Sequence, residues 1–477
     1  MDNYEEFCKE FVSKSKSLLI APAGCGKTYT IAECLKYTEG KQLILTHTHA
    51  GVASLKEKIK EKGISTSKYR VETISSFAQK YVNAFYCGDD IPEQDDKQAY
   101  FPFIIEKATE LMKIKPIRDV VKLTYSGLFV DEYQDCTKLQ HKFIMALSEI
   151  LPTHVLGDPL QGIFGFRQDL VNFEKDLHNF KKFELREPWR WKKTNPELGE
   201  SLMKIRKKLE NEEDIDLTSF EDVVEIIYIN NENDIYNGYY RRKIWDLIND
   251  EYKKVLVIHP NSASKNARLK FVKGFRNRIR IVEAIDDEDF YKYAKMFDEV
   301  DSSNLYKVIY EFIKQVFKKE EIDKWFNENR MKEKRNREDQ LAILPVKKDM
   351  ESLEQQGKNF ILIAKILRGI KDLPGMVCYR EELFNDVCKA LEEAGYNKTS
   401  VYETIKRIKN MKRRMGRKID GKCIGTTLLV KGLEFDVVVI LSAHKFEKPE
   451  DLYVALTRAS EKLVVFTKST TLHPYSN

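Results

Sequence analysis

Leu18-Leu19-Ile20-Ala21-Pro22-Ala23-Gly24-Cys25-Gly26-Lys27-Thr28 is an apolar run that breaks into a turn of small residues and ends on Lys-Thr. The pattern predicts a strand, a tight turn and the start of a helix over Tyr29–Tyr37. Backbone N–H groups of such a turn, with the helix N-terminus behind it, converge on a phosphate group. Gly24 and Gly26 let the backbone approach without a Cβ in the way, flanked by the small Ala23 and Cys25. Lys27 has the reach for β- and γ-phosphates, and the Thr28 hydroxyl is a ligand type suited to Mg²⁺. Ala21 stands where this loop ordinarily opens on Gly. The stretch therefore points to a bound nucleoside triphosphate.

The rest of the chain says what kind of protein carries this loop. Its 477 residues suggest roughly three domains. Eighty-one basic against 75 acidic residues leave a net charge of only +6, so any nucleic-acid surface has to come from local clustering. No apolar run is long enough to span a membrane, and the acidic start Met1-Asp2-Asn3-Tyr4-Glu5-Glu6 lacks an export-signal core. Eight Cys are scattered with no Cys-x-x-Cys pair, which fits reduced thiols in a cytoplasmic protein better than zinc or disulfides.

Short apolar runs alternate with helical patterns. Ser17–Ile20, Gln42–Leu45, Gly127–Val130, His154–Gly157 and Lys182–Leu185 read as strands of a parallel sheet covered on both faces. Gly51–Lys62 and Leu139–Ile150 read as helices between them. A second set, Val224–Ile229, Val255–Ile258, Val437–Leu441 and Leu463–Phe466, reads as another sheet. Between 285 and 415 the texture is charged and aromatic-dotted, with helical spacing in Leu305–Phe317 and Leu353–Leu367. Ligands of such α/β layouts bind at the C-terminal strand ends.

Leu128-Phe129-Val130 runs into Asp131-Glu132-Tyr133-Gln134-Asp135. Adjacent acids at a strand end suit a magnesium nucleotide site: Asp131 holds Mg²⁺, and Glu132 orients and deprotonates the attacking water. Together with the phosphate loop, this segment resembles the signature of superfamily 1 helicases of the UvrD, Rep and PcrA type. Further matches follow in order. Leu156 to Arg167 is similar to motif III, Pro188-Trp189-Arg190 to motif IV, Val430 to Asp436 to motif V, and Leu452 to Ala459 to motif VI. Thr46-His47-Thr48 and Thr73-Ile74-Ser75-Ser76-Phe77 resemble motifs Ia and Ib.

The resemblance implies an α/β fold of two RecA-like parallel-sheet domains, of the phosphate-loop NTPase class, with helical insertions. The first RecA-like domain is expected at 1–86 and 121–193, a small insertion at 87–120, the second at 194–284 and 416–477, and a larger helical insertion at 285–415. It implies ATP and Mg²⁺ as cofactors, Gln161 as γ-phosphate sensor, Arg190 and Arg458 as arginine fingers, and Glu434 at the ribose. Phe166 is the implied base-stacking aromatic, with Arg167 beside it and Phe77 as a further nucleic-acid contact. Lys406–Lys418 is strongly basic and reads either as a phosphate grip or as a solvated helix face. The Lys of motif Ia is replaced near Ala50-Gly51, the His of motif V is Leu428, and no adenine-reading Gln precedes the loop.

The expected activity is an ATP-dependent translocase or helicase on single-stranded or partly duplex DNA, moving 3′ to 5′ as the family does, in DNA repair or phage defence. The compact length resembles the helicase partner in Gabija-type defence operons. The alternative is a DNA-sensing ATPase that switches a partner effector such as a nuclease. No fused nuclease is expected after the last motif.

Overall fold

The computed structural model describes residues 2–94, 96–163, 170–250, 253–260, 265–275, 278–283, 288–301, 303–415 and 421–475. Two compact units divide it: residues 1–270 with 413–477, and residues 271–412.

The first unit holds the phosphate loop. Six strands, β1 Lys16–Ile20, β2 Gln42–Thr46, β3 Tyr69–Thr73, β4 Gly127–Val130, β5 Thr153–Gly157 and β6 Lys181–Glu184, form a parallel sheet in the order β3-β2-β4-β5-β1-β6. The central strands β2, β4 and β5 are buried along their whole length, which explains their unbroken apolar runs. The edge strand β3 announces itself less clearly in sequence: it reads Tyr-Arg-Val-Glu-Thr and buries only its last three residues. It is absent from the sequence expectation for that reason.

Five strands of a second sheet lie in the same unit: β7 Glu225–Tyr228, β8 Val255–Ile258, β9 Lys422–Gly425, β10 Phe435–Ile440 and β11 Ala459–Thr467. All run parallel, in the order β9-β8-β10-β11-β7. β9 is short and ends on Gly425, too weak a pattern to predict.

Helices Lys97–Leu111 and Lys115–Thr124 occupy the expected small insertion. They are continuous with the first sheet's core rather than set apart from it, since Tyr100, Ile104, Ala108 and Val121 pack in one cluster with Leu128, Phe143 and Ile144. Phe77 belongs to that cluster. It is fully buried, 4.9 Å from the Tyr81 ring and 6.1 Å from the Tyr125 ring, centroid to centroid. The expectation that Phe77 contacts nucleic acid is therefore corrected: the helix Ile74–Phe85 turns the ring inward.

The second unit is helical over most of its length, around a core that includes Phe297, Phe312, Trp325, Leu367, Phe384 and Leu391. Leu353–Leu367 is not one helix. Gly357, at φ 76°, ends the helix Arg337–Gln356, and Asn359 starts Phe360–Lys371 by accepting the Leu362 N–H at 3.1 Å. The basic stretch lies on the helix Val401–Met415 as far as Met415, and its residues 416–418 lie outside the described residues. Lys406 pairs with Glu403, Arg407 with Glu393, and Lys409 and Lys412 both pair with Asp386. These cations are engaged within their own unit, which favours the helix-face reading over a phosphate grip.

Phe77→Ala is expected to lower stability by about 3–5 kcal/mol, as a cavity in a packed core does. Urea unfolding checks this, and a change below about 1 kcal/mol would place the ring outside the core.

Candidate nucleotide site

The C-terminal ends of β1, β2, β4 and β5 lie along one edge of the first sheet. β1 and β5 are neighbours with Ile20 opposite Gly157, and the Ala21 N–H donates to Gly157 O at 3.1 Å. The phosphate loop leaves β1 here. Gly24 and Gly26 take φ values of 72° and 90°, the left-handed region open to glycine at little cost. Gly24 is also sterically required, because a Cβ there would stand 2.4 Å from Trp191 Cζ3. Gly26 caps the helix Lys27–Cys34, and Ala23 and Cys25 are buried beneath the turn. Lys27 Nζ donates to Ala21 O at 3.1 Å, so the ammonium lies folded across the loop.

Asp131 and Glu132 follow β4. Asp131 is buried, and its Oδ1 accepts the Glu132 N–H at 3.0 Å. Glu132 sits at φ 55°, an uncommon setting for a side-chain-bearing residue and one found at functional turns. Its Oε2 accepts from Gln134 Nε2 at 2.6 Å. Burial and then the neighbouring Glu132 push the Asp131 carboxyl up to about 7, against the pull of Lys27. Burial also acts to raise Glu132, but Lys27 and Lys431 outweigh it and hold that carboxyl down at about 2. A buried Asp131, raised first by its burial and then by the adjacent, half-buried Glu132, forms a setting that a divalent cation relieves. Thr28, Asp131 and Glu132 line one cleft together, so the residues present fit Mg²⁺.

The same cleft is lined by Lys431 and Gly432, from the loop between β9 and β10. The Lys431 side chain is 2% exposed, and its ammonium donates to Asp135 Oδ2 and to the Gln161 backbone carbonyl. Gln161 is buried after β5, with Nε2 on Asp158 Oδ2 at 2.6 Å and Oε1 facing Arg458 Nη2 at 3.4 Å. Arg458 is itself buried, held by Val454 O at 2.9 Å, Leu433 O at 3.1 Å and Thr457 Oγ1 at 3.0 Å. Arg190 donates its backbone N–H to Gly24 O at 3.0 Å, beside the phosphate loop. Its guanidinium reaches the Thr457 carbonyl and lies 3.1 Å from Glu434 Oε2.

The structure thus brings Lys27, Thr28, Asp131, Glu132, Gln161, Arg190, Glu434 and Arg458 around one region. Phe166 and Arg167 lie outside the described residues. Sequence reasoning gave no role to Lys431 or Asp135, although both stand inside the matched segments. It also missed Trp191, whose Nε1 donates to Ala459 O at 2.7 Å, and the buried pair of Asp158 with Arg206. The aromatic residues flanking Arg190 were the available signal for Trp191. Arg206 had none, standing among the other cations of the helix Pro196–Glu210.

Parts of this sequence match known protein families. An AAA domain model matches residues 5–167, and a UvrD-like helicase C-terminal domain model matches residues 423–466. Both matches support a UvrD-like superfamily 1 helicase. Over 76 residues it is 32% identical to an ATP-dependent helicase/nuclease subunit from Oenococcus oeni, covering 16% of this chain and 6% of that protein. The structure of the PRRSV helicase superposes over 97% of this chain and 54% of its own, with 11% identity and a TM-score of 0.35. An arterivirus nonstructural protein 10 helicase gives 98% and 61% coverage, 11% identity and a TM-score of 0.30. This chain spans less than two thirds of the length of each of these relatives. Among the described residues, no helix is long and apolar enough to cross a membrane.

Gly24→Ala is expected to cost about 1–3 kcal/mol from the left-handed backbone alone. The clash with Trp191 adds to this, so nucleotide binding should weaken along with the melting temperature. Fluorescent-nucleotide titration and a thermal melt check both. Wild-type values in the two together would contradict the packing of Trp191 on the loop.

Proposed function

We propose that this chain is an ATP-driven translocase or helicase that acts on single-stranded DNA, in the 3′ to 5′ sense of its family. The observation that carries this reading is the cleft between the two sheets, where Thr28 and the paired acids of one sheet meet Lys431 of the other, while Arg458 faces Gln161. A site completed from two α/β domains is one whose chemistry changes as the domains separate or close, and that is what a motor requires.

The residues divide the work by chemistry. Lys27 neutralises the β- and γ-phosphates. Thr28 and Asp131 would hold Mg²⁺, which when bound would offset charge on the phosphate oxygens. Glu132, kept ionised by Lys27 and Lys431, accepts the proton of the attacking water. Gln161 contacts the γ-phosphate, and Arg190 and Arg458 stabilise charge on the transferring group. Glu434, beside Arg190, faces the ribose. Trp189 is 45% exposed, with its ring edge 3.6 Å from where a Gly26 Cβ would stand, so it offers a stacking face for the base. Phe166 and Arg167 are assigned to DNA by sequence alone.

A second reading, a DNA-sensing ATPase that switches a nuclease partner, is favoured by the Oenococcus relative, whose name joins a helicase with a nuclease. Both readings fit a cytoplasmic setting in DNA repair or phage defence. Steady-state ATP hydrolysis with and without single-stranded DNA, run beside a strand-separation assay, separates the two. DNA stimulation with unwinding supports the motor, stimulation without unwinding supports the switch, and no hydrolysis under either condition contradicts both.

Glu132→Gln is expected to retain nucleotide binding and to lower turnover by a factor of about 10² or more, since an amide cannot take the proton. Loss of binding together with turnover would make Glu132 a structural residue.

A further inference from the structure

Arg206 lies outside the cleft and outside every segment that carries the family resemblance, yet it is one of the most thoroughly engaged side chains in the first unit. It projects from the helix Pro196–Glu210 with 9% of its side chain exposed. Its Nη1 lies 2.7 Å from Asp158 Oδ1 and 2.8 Å from Oδ2, and 3.2 Å from Tyr453 Oη. Its Nη2 lies 2.8 Å from Glu210 Oε1. Asp158 is fully buried, and so is Tyr453.

The importance of the pair comes from what else Asp158 holds. Asp158 Oδ2 accepts Gln161 Nε2 at 2.6 Å, and the Asp158 N–H donates to Gln134 Oε1 at 2.9 Å. Gln134 in turn donates to Glu132 Oε2. The Gln161 amide is therefore turned with its NH₂ on Asp158 and its oxygen toward Arg458. A buried carboxylate keeps one orientation only if its oxygens are fixed from the far side, and a guanidinium with several donors does this better than an ammonium. Arg206 supplies that fixing. Tyr453 lies on the helix Pro449–Leu456, a few residues before Arg458, so the same guanidinium also touches the element that delivers Arg458.

We propose that Arg206 is a positioning residue for nucleotide turnover. Through Asp158 it fixes the Gln161 amide in its setting against Arg458, and through Tyr453 it ties that setting to the second sheet. The inference rests on the hydrolase reading above and adds a residue that never meets the nucleotide. Groups that orient the ligands of a metal site carry about 10- to 100-fold of affinity or activity, and the lower end of that scale is expected for a group that orients an amide.

The test is a double-mutant cycle on ATP turnover, with nucleotide affinity measured alongside. Arg206→Lys keeps the charge but loses the multiple contacts. It is expected to lower kcat by about tenfold with nucleotide Kd changed by less than about threefold. In a Gln161→Ala background the same substitution is expected to change kcat by less than about twofold, because its effect runs through Gln161. Tyr453→Phe removes only the hydroxyl and serves if Arg206→Lys does not fold. It is expected to lower kcat by about threefold in the wild-type background and to lose that effect beside Gln161→Ala. Equal losses in both backgrounds, or a change in Kd without a change in kcat, would overturn the inference while leaving the hydrolase reading intact. A wild-type chain that turns over no ATP fails at the earlier step, and the two failures are thereby distinct.

Discussion

The ammonium of Lys431 is the contact on which the candidate site depends. It comes from the second sheet, is almost wholly buried, and ends on Asp135 and on the backbone carbonyl of Gln161, both on the first sheet's side. Burying a charge is costly unless it is paired and hydrogen-bonded, so a lysine in this place holds the two loops together or destabilises both. Lys431 also helps to keep the Glu132 carboxyl ionised despite its burial. The base proposed for hydrolysis thus owes part of its protonation state to a residue beyond the first sheet, which makes the proposed chemistry sensitive to the separation of the two sheets.

A second seam runs along the segment after β6. Arg190, Trp191, Thr194 and Asn195 donate to the backbone carbonyls of Thr457, Ala459, Ser460 and Glu461 in turn. Trp191 does two things at once, since its ring packs over Gly24 of the phosphate loop while its N–H is bound to Ala459. The start of β11 is therefore registered directly against the turn from Ala21 to Thr28. Side chain to backbone bonds of this kind fix position without depending on the identity of the residues at the far end. The seam and the Lys431 contact lie on different loops, so one can persist while the other opens.

The parts of this arrangement that were legible in sequence are those whose chemistry is local. The turn from Ala21 to Thr28 needs glycine and lysine at fixed spacing, and the acids after Val130 need an apolar strand before them. Both patterns survive in a single chain without comparison. Buried central strands were legible because burial on both faces removes polar residues. The edge strand Tyr69–Thr73 was not, because its exposed start carries polar residues that break the apolar run. Phe77 was misread because an aromatic residue at a helix start looks the same whether it faces a base or the core. Arg206, Asp158 and Lys431 were invisible as a group, since their partners lie far along the chain and only folding brings them together. The long helical pattern Leu353–Leu367 was misjudged because the break at Gly357 to Asn359 takes only a few residues.

The central claim is that the nucleotide site exists only as a joint product of the two sheets, with the Lys431–Asp135 pair as the join. The most direct measurement is ATP turnover of Lys431→Met, Asp135→Asn and the double variant, each compared with wild type. If the pair acts as one unit, each single substitution removes most of the turnover and the double variant is no worse than the more severe single, a coupling beyond about 1 kcal/mol. Losses that simply multiply in the double variant would contradict the account, because the two residues would then be acting independently on either side of the cleft.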